Sequence, residues 1–466
     1  MERLPKLLGS TKMLPLLGLG LAFAWAYAPL LVGETCYLYY HLGFGCSLVA
    51  LAALFTLRPR ELAPHGERIA SLSAACAMSL TPLALIASTH PHVALVASGG
   101  ILSGVGSAWL FGRWFQLYCR HHTKLAANYT LASFSISSAI RFALVPLSDA
   151  SSPLALAAVL CALPFCSLAL MRRCEVASPG ALALRESHNA TAPTSEKPPF
   201  SGAVGFFAEV VVYGLVFGVL RNGISDWSSD SASLYIGHAL RILLPLLLLA
   251  WINIPQNDEK SERVLRGSVL ACAFCAAAGI FFGDSPAVAI SSLTLAARNF
   301  VTILLYLMLY RTVRDCEGHP IAVFGMGRGI YELSLVSGLA LFSVTTVSDF
   351  INSLSVTALY FVMTCVSFLL LSSFSRITAV IRHTPPPPGA ALCERSFDER
   401  VAAIAVLYHL TEREEEVMHL LCRGRTKRYI AETLYLSEDT VRWHSKQLYR
   451  KLNVHSKQEL IDLVGV

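Results

Sequence analysis

The chain has 466 residues, of which 54% are hydrophobic and only 15% charged, with a formal net charge of +6 and a mean hydropathy of +0.55. That balance excludes an ordinary soluble domain and a disordered chain, and predicts that most of the residues lie in lipid. The 13 cysteines stand mostly singly in apolar runs and read as small buried hydrophobes. Cys272 and Cys275 have CxxC spacing but no second pair or nearby His, so neither a disulfide framework nor a metal site is expected.

Apolar runs long enough to cross a hydrocarbon core of about 30 Å recur from Met13 almost to Leu371. They fall near 13–32, 35–57, 69–89, 92–112, 125–147 and 152–171, then, after a polar break from Arg172 to Ser201, near 203–220, 232–252, 267–283, 286–309, 321–345 and 349–372. The expected architecture is an all-α polytopic bundle of about twelve spans, with halves 1–171 and 203–372 joined by a loop at 172–202. No cleavable leader is expected, because the run after Lys12 leads directly into a second span. Basic residues alternate with the loops: Arg3, Lys6 and Lys12 precede the first span, and Arg58, Arg113, Arg172, Lys260 and Arg311 follow even-numbered ones. By the positive-inside rule both termini and the central loop are expected in the cytoplasm of a cell whose membrane the chain crosses many times. Six plus six spans around a long cytoplasmic connection resemble the major facilitator superfamily in topology.

Glycines four apart, Gly100 with Gly104 and Gly325 with Gly329, are expected to mark close helix approach rather than nucleotide binding. Charges inside the expected spans are the clue to an input, since burying one is costly and turns it toward the bundle interior. Arg141, Arg241, Arg298 and Arg328 face only Glu209 and Glu332 as nearby acids, and Arg328 with Glu332 can pair along one helix face. These six are the candidate effector-binding residues. The surplus of arginine suggests an anionic small molecule.

Residues 373–409 form a linker, with an extended spacer at Pro385 to Pro388. After it, Phe397, Val401, Ile404 and Tyr408 fall at helical spacing, predicting a short helix that caps the core of the domain behind it. From Thr411 charge is dense. Capping chemistry starts four short helices there, at Thr411 with Glu414, at Thr426, at Ser437, and at Ser456 with Glu459. On the third helix Val441, Ser445, Leu448 and Leu452 share one face, and Arg442, Trp443, Lys446 and Arg450 lie on the other, with no acid between Val441 and Leu452. A turn at Tyr435 and Leu436 completes a helix-turn-helix pattern with the second helix.

Residues 410–464 resemble the LuxR-type DNA-binding domain. Leu410, Thr411, Arg413, Glu414, Glu416 and Val417 are similar to its opening helix, Gly424 to its helix-ending glycine, and Ile430, Ala431 and Leu434 to its scaffold helix. Ser437, Thr440, Val441, Arg442 and His444 are similar to its recognition helix, and Lys451, Leu452, Val454 and Ser456 to its closing motif. Lys427, Tyr429 and Met418 depart from it. The resemblance implies that Arg442, Trp443 and Lys446 face bases of double-stranded DNA, that Thr426, Lys427, Ser437, Thr440 and Arg450 position the phosphates, and that the last helix makes a homodimer. Attachment to twelve spans resembles membrane-bound LuxR-type regulators with a transporter-like sensor. The expected function is a one-component transcriptional regulator, the alternatives being a secondary transporter with a reporting DNA-binding domain, or a ligand-free chromosomal tether. No nucleophile and base fall at catalytic spacing, so neither an enzyme nor a cofactor is expected.

Overall fold

The computed structural model describes residues 11–26, 28–57, 63–87, 93–121, 123–149, 153–177, 204–225, 231–253, 286–316, 319–342 and most of 401–464. Among these residues the chain is helical without a strand. Contacts divide it into two compact units, one holding the described helices up to Phe342 and the other those from Val401 onward.

The first unit opens with a 3-10 segment, Thr11–Gly18, followed by α1 (Leu19–Trp25) and α2 (Ala28–Val32). The expected first span is therefore not one helix. Pro29 has no N–H, and its ring would collide with the carbonyl of Trp25, where α1 ends; Gly33, at φ 131°, then turns the chain into α3. The remaining helices are α3 (Glu34–Leu57), α4 (Pro64–Ala87), α5 (Val93–Cys119), α6 (Thr123–Asp149), α7 (Pro153–Ala177), α8 (Val204–Ser225), α9 (Ser231–Asn253), α10 (Pro286–Cys316) and α11 (Pro320–Phe342). Each covers one of the expected apolar runs; those at 267–283 and 349–372 lie outside the described residues. Among the described residues three helices are long and apolar enough to cross a membrane, Glu34–Leu57, Val93–Cys119 and Leu154–Cys174.

The two sequence halves are packed together through α3 on α11 and α6 on α9 and α10. Polar side chains stitch this junction: Asn128 and Asn253 exchange amide hydrogen bonds at 2.9 and 3.2 Å, and the hydroxyls of Thr130 and Tyr310 meet at 2.8 Å. Glycine lets the helices approach this closely. Both expected pairs face α3, where a Cβ on Gly104 or Gly325 would stand 2.4 or 2.3 Å from a backbone oxygen. Gly218 of α8 and Gly338 of α11 meet Cα to Cβ position at 2.9 Å, each within 2.2 Å of a carbonyl on the opposite helix. Large apolar side chains, among them Leu54, Leu72, Leu83, Leu102, Leu154 and Leu243, point outward, whereas Arg241, Arg328 and Glu332 are buried.

The second unit contains α12 (Glu412–Cys422), α13 (Lys427–Leu434), α14 (Glu438–Leu452) and α15 (Lys457–Val464). Its own core joins Val417, Leu421, Ile430, Val441, Leu448 and Leu460, and Val401, Ile404 and Ala405 close one side of it. The segment before α12 thus caps the domain core, as its helical spacing predicts; Phe397 lies outside the described residues.

Gly338→Leu should lower the unfolding temperature of the bundle, since overpacking costs about 1 to 3 kcal/mol. Gly99→Ala, where a Cβ meets nothing within 4 Å, should leave it unchanged or slightly raised. Thermal denaturation of both purified variants checks the contrast.

Candidate functional site

In the second unit each helix start is set by a short polar side chain. Thr411 Oγ1 accepts from the Glu414 N–H, and the Glu414 carboxylate accepts from the Thr411 N–H at 2.8 Å, a complete capping box. The same carboxylate oxygen takes the Lys451 ammonium at 2.6 Å. Glu414 therefore ties the start of α12 to the last turn of α14 and fixes the pose of that helix. Burial pushes the Glu414 carboxyl up, but Lys451 and the Thr411 N–H and hydroxyl outweigh it and hold the group below the ordinary value.

Gly424, at φ 80°, closes α12. Thr426 caps α13 by accepting from the Tyr429 N–H at 3.3 Å, and the helix ends at Tyr435, left-handed at φ 53°, with the Leu436 N–H bonded to the Ala431 carbonyl at 2.9 Å. Ser437 starts α14: its oxygen accepts from the Thr440 N–H at 3.1 Å and meets the Thr440 hydroxyl at 2.8 Å. Two short helices joined by a tight turn, with the second on the surface, form a helix-turn-helix.

Val441, Ser445, Leu448 and Leu452 are buried. Arg442, Trp443, Lys446 and Arg450 are exposed, leaving a cationic face around an indole that is 57% exposed. Glu438 and Asp439 lie 3.7 and 3.6 Å from the Arg442 guanidinium, and Arg450 donates to Gln447. Thr426, Lys427 and Ser437 are also exposed and Thr440 half-buried. A face of this kind suits a DNA groove, where arginine and lysine bind base edges and small hydroxyls bind phosphate. The His444 ring stands edge-on to Trp443 at 5.0 Å.

The six candidate effector residues separate in the first unit. Arg298, Arg328 and Glu332 come together with three residues the sequence reading did not select, His41, Tyr37 and Thr302. Glu332 receives Arg328 at 2.5 Å from its own helix and His41 at 2.5 Å from α3. Arg328 also donates to Thr302 at 3.2 Å and lies over the Tyr331 ring at 4.9 Å. Arg298 donates to the Tyr37 hydroxyl at 2.6 Å and covers the Phe217 ring at 5.3 Å. Arg141, on α6, donates to the Phe23 carbonyl; it and Arg241 lie close enough to His238 to act on it electrostatically. Glu209 is half-buried on α8. Among the described residues no three His, Cys, Asp or Glu side chains are grouped to hold a metal ion.

Residues 408–464 match the family described as bacterial regulatory proteins, luxR family. The chain is 50% identical over 48 residues to the nitrate/nitrite response regulator protein NarP of Escherichia coli K12, covering 10% of this chain and 22% of that one. It is 34% identical over 96 residues to a putative transcriptional regulator of Pseudomonas aeruginosa, 21% of this chain and 44% of that one. Similarity to the virulence factors putative positive transcription regulator BvgA of Bordetella pertussis is 35% over 77 residues, 16% and 37% of the two chains. The chain thus spans less than half the length of these relatives, and its C-terminal unit is a LuxR-type helix-turn-helix domain.

Because Glu414 is held ionised by folding, its contribution is present above its unfolded value near 4.5 and is lost as pH falls through the lower folded value. Glu414→Gln or Lys451→Met should therefore flatten the acid limb of the second unit's stability below about pH 4.5. Denaturant unfolding at stepped pH measures it.

Proposed function

We propose that the chain is a membrane-embedded, one-component transcriptional regulator: a twelve-span bundle that responds to a small molecule and presents the C-terminal domain to double-stranded DNA. The observation that carries this reading is the exposed cationic face of Arg442, Trp443, Lys446 and Arg450 on a domain matching the luxR family. It is joined to a unit that turns leucine outward and charge inward. In water such a surface is unfavourable by about 25 cal/mol per Å² of exposed apolar area; in hydrocarbon that penalty vanishes. Helices too polar to pass as spans alone fit this account, since their charged residues face bundle partners.

Both termini and the loop at 172–202 lie in the cytoplasm, where the DNA is, and the domain binds as a homodimer. The effector contacts the cluster of Arg298, Arg328 and Glu332, with Arg141, Arg241 and Glu209 as further contributors. Two arginines around one carboxylate favour an anion. A transporter carrying a DNA-binding domain is the second reading, favoured by the position of that cluster between the two halves; uptake of the effector into vesicles separates it from a sensor.

A fragment of residues 396–466 should bind operator DNA. Arg442→Ala or Lys446→Ala should cost about 1 to 3 kcal/mol, roughly 5- to 150-fold in affinity, with the fold intact. Unchanged binding of both variants in a mobility-shift titration would reject the recognition face. Cysteines placed at Asn189 and Asp226 should react with an impermeant thiol reagent only from the inside and only from the outside, respectively; labelling of the first in intact cells rejects the topology.

A further inference from the structure

We propose that His41 is a proton-binding site whose protonation breaks its hydrogen bond with Arg298 of α10, making acid an input to the bundle. The effect on transcription rests on the regulatory reading above; the site itself rests on hydrogen-bond chemistry alone. His41 Nδ1 lies 2.5 Å from the Glu332 carboxylate on α11, and Nε2 lies 3.3 Å from Arg298 Nη2 on α10. A carboxylate only accepts and a guanidinium only donates. The ring is therefore neutral, with its hydrogen on Nδ1 and its lone pair on Nε2 turned to Arg298.

A proton can add only at that lone pair. The ring then has two N–H donors and a positive charge, so the bond to Glu332 strengthens while the contact with Arg298 becomes a clash of donors between like charges. Among the described residues Glu332 is the one carboxylate in contact with it, and it also serves Arg328. From α3 itself the ring meets Tyr37 and Tyr40, at 4.4 and 5.0 Å between centroids. Helix α5 crosses α3 at Gly100 and Gly104, with its Arg113 turned to Glu67 and its Tyr118 to the Leu16 carbonyl. Helix α2 has no titratable residue. The proton consequently binds more tightly when Arg298 has moved away, and acid shifts the population toward that state.

The His41–Arg298 bond is made while the ring is neutral, above the ordinary imidazole value of about 6.5, and is lost as pH falls below it. The experiment follows the thermal unfolding of full-length protein in lipid nanodiscs from pH 7.5 to 5. The wild type should lose several degrees. His41→Asn places an N–H near Nδ1 for Glu332 but cannot titrate, so it should show less than half of that loss. Arg298→Gln removes the competing cation and should move the midpoint up by about one pH unit. A His41→Asn profile that follows the wild type overturns the proposal; if that variant fails to fold, an unshifted midpoint in Arg298→Gln does so. A reporter that ignores pH while the purified bundle responds through His41 supports the proton site and refutes the regulatory reading.

Discussion

A carboxylate at the centre of a helical bundle persists only if a cation and hydrogen-bond donors surround it, and Glu332 is fully buried between the Arg328 guanidinium and the His41 ring. Taking one partner from a buried pair costs about 3 to 5 kcal/mol, because the remaining charge has no water to turn to. The constraint acts on the backbone, since α11 must lie close enough to α3 for a short side chain to reach an imidazole. Gly325, set against the Leu48 carbonyl of α3, and Gly45 of α3, where a Cβ would stand 3.2 Å from the Glu332 Cβ, provide that proximity. Charge and small residues thus form one device, in which the glycines set the spacing and the ion cluster sets the register.

The second unit uses the same kind of device in a smaller space. Glu414 caps its own helix and receives Lys451 from α14, so α14 is oriented by a bond far from the surface it presents. At the turn, Tyr435 occupies a left-handed conformation that glycine would adopt without cost, and its side chain is 95% exposed. Inside the core, burial raises the Cys422 thiol to about 12; it fills space as a small hydrophobe and is unreactive.

The two units obey opposite burial rules. Around the bundle leucine faces out and arginine in, whereas in the C-terminal domain arginine and lysine face out over an apolar core. That opposition coincides with the change in composition near Thr411.

Local patterns in the sequence determined the four caps, the buried stripe of α14, the glycine pairs and the segment that closes the C-terminal core, because each depends on residues within a turn or two of one another. The family resemblance of residues 410–464 belongs to the same class, being carried by short spacings. The sequence also placed Arg298, Arg328 and Glu332 among the candidates, but it did not select His41. The separation of 291 residues between His41 and Glu332 leaves no periodic signal, and a lone His in an apolar run looks like any buried ring. For the same reason Glu414 with Lys451, 37 residues apart, was visible only as two letters of a motif and not as a bond. Tertiary structure alone decided which charges share a site and which helices glycine brings together, since packing, unlike helix periodicity, is set by contacts between distant parts of the chain.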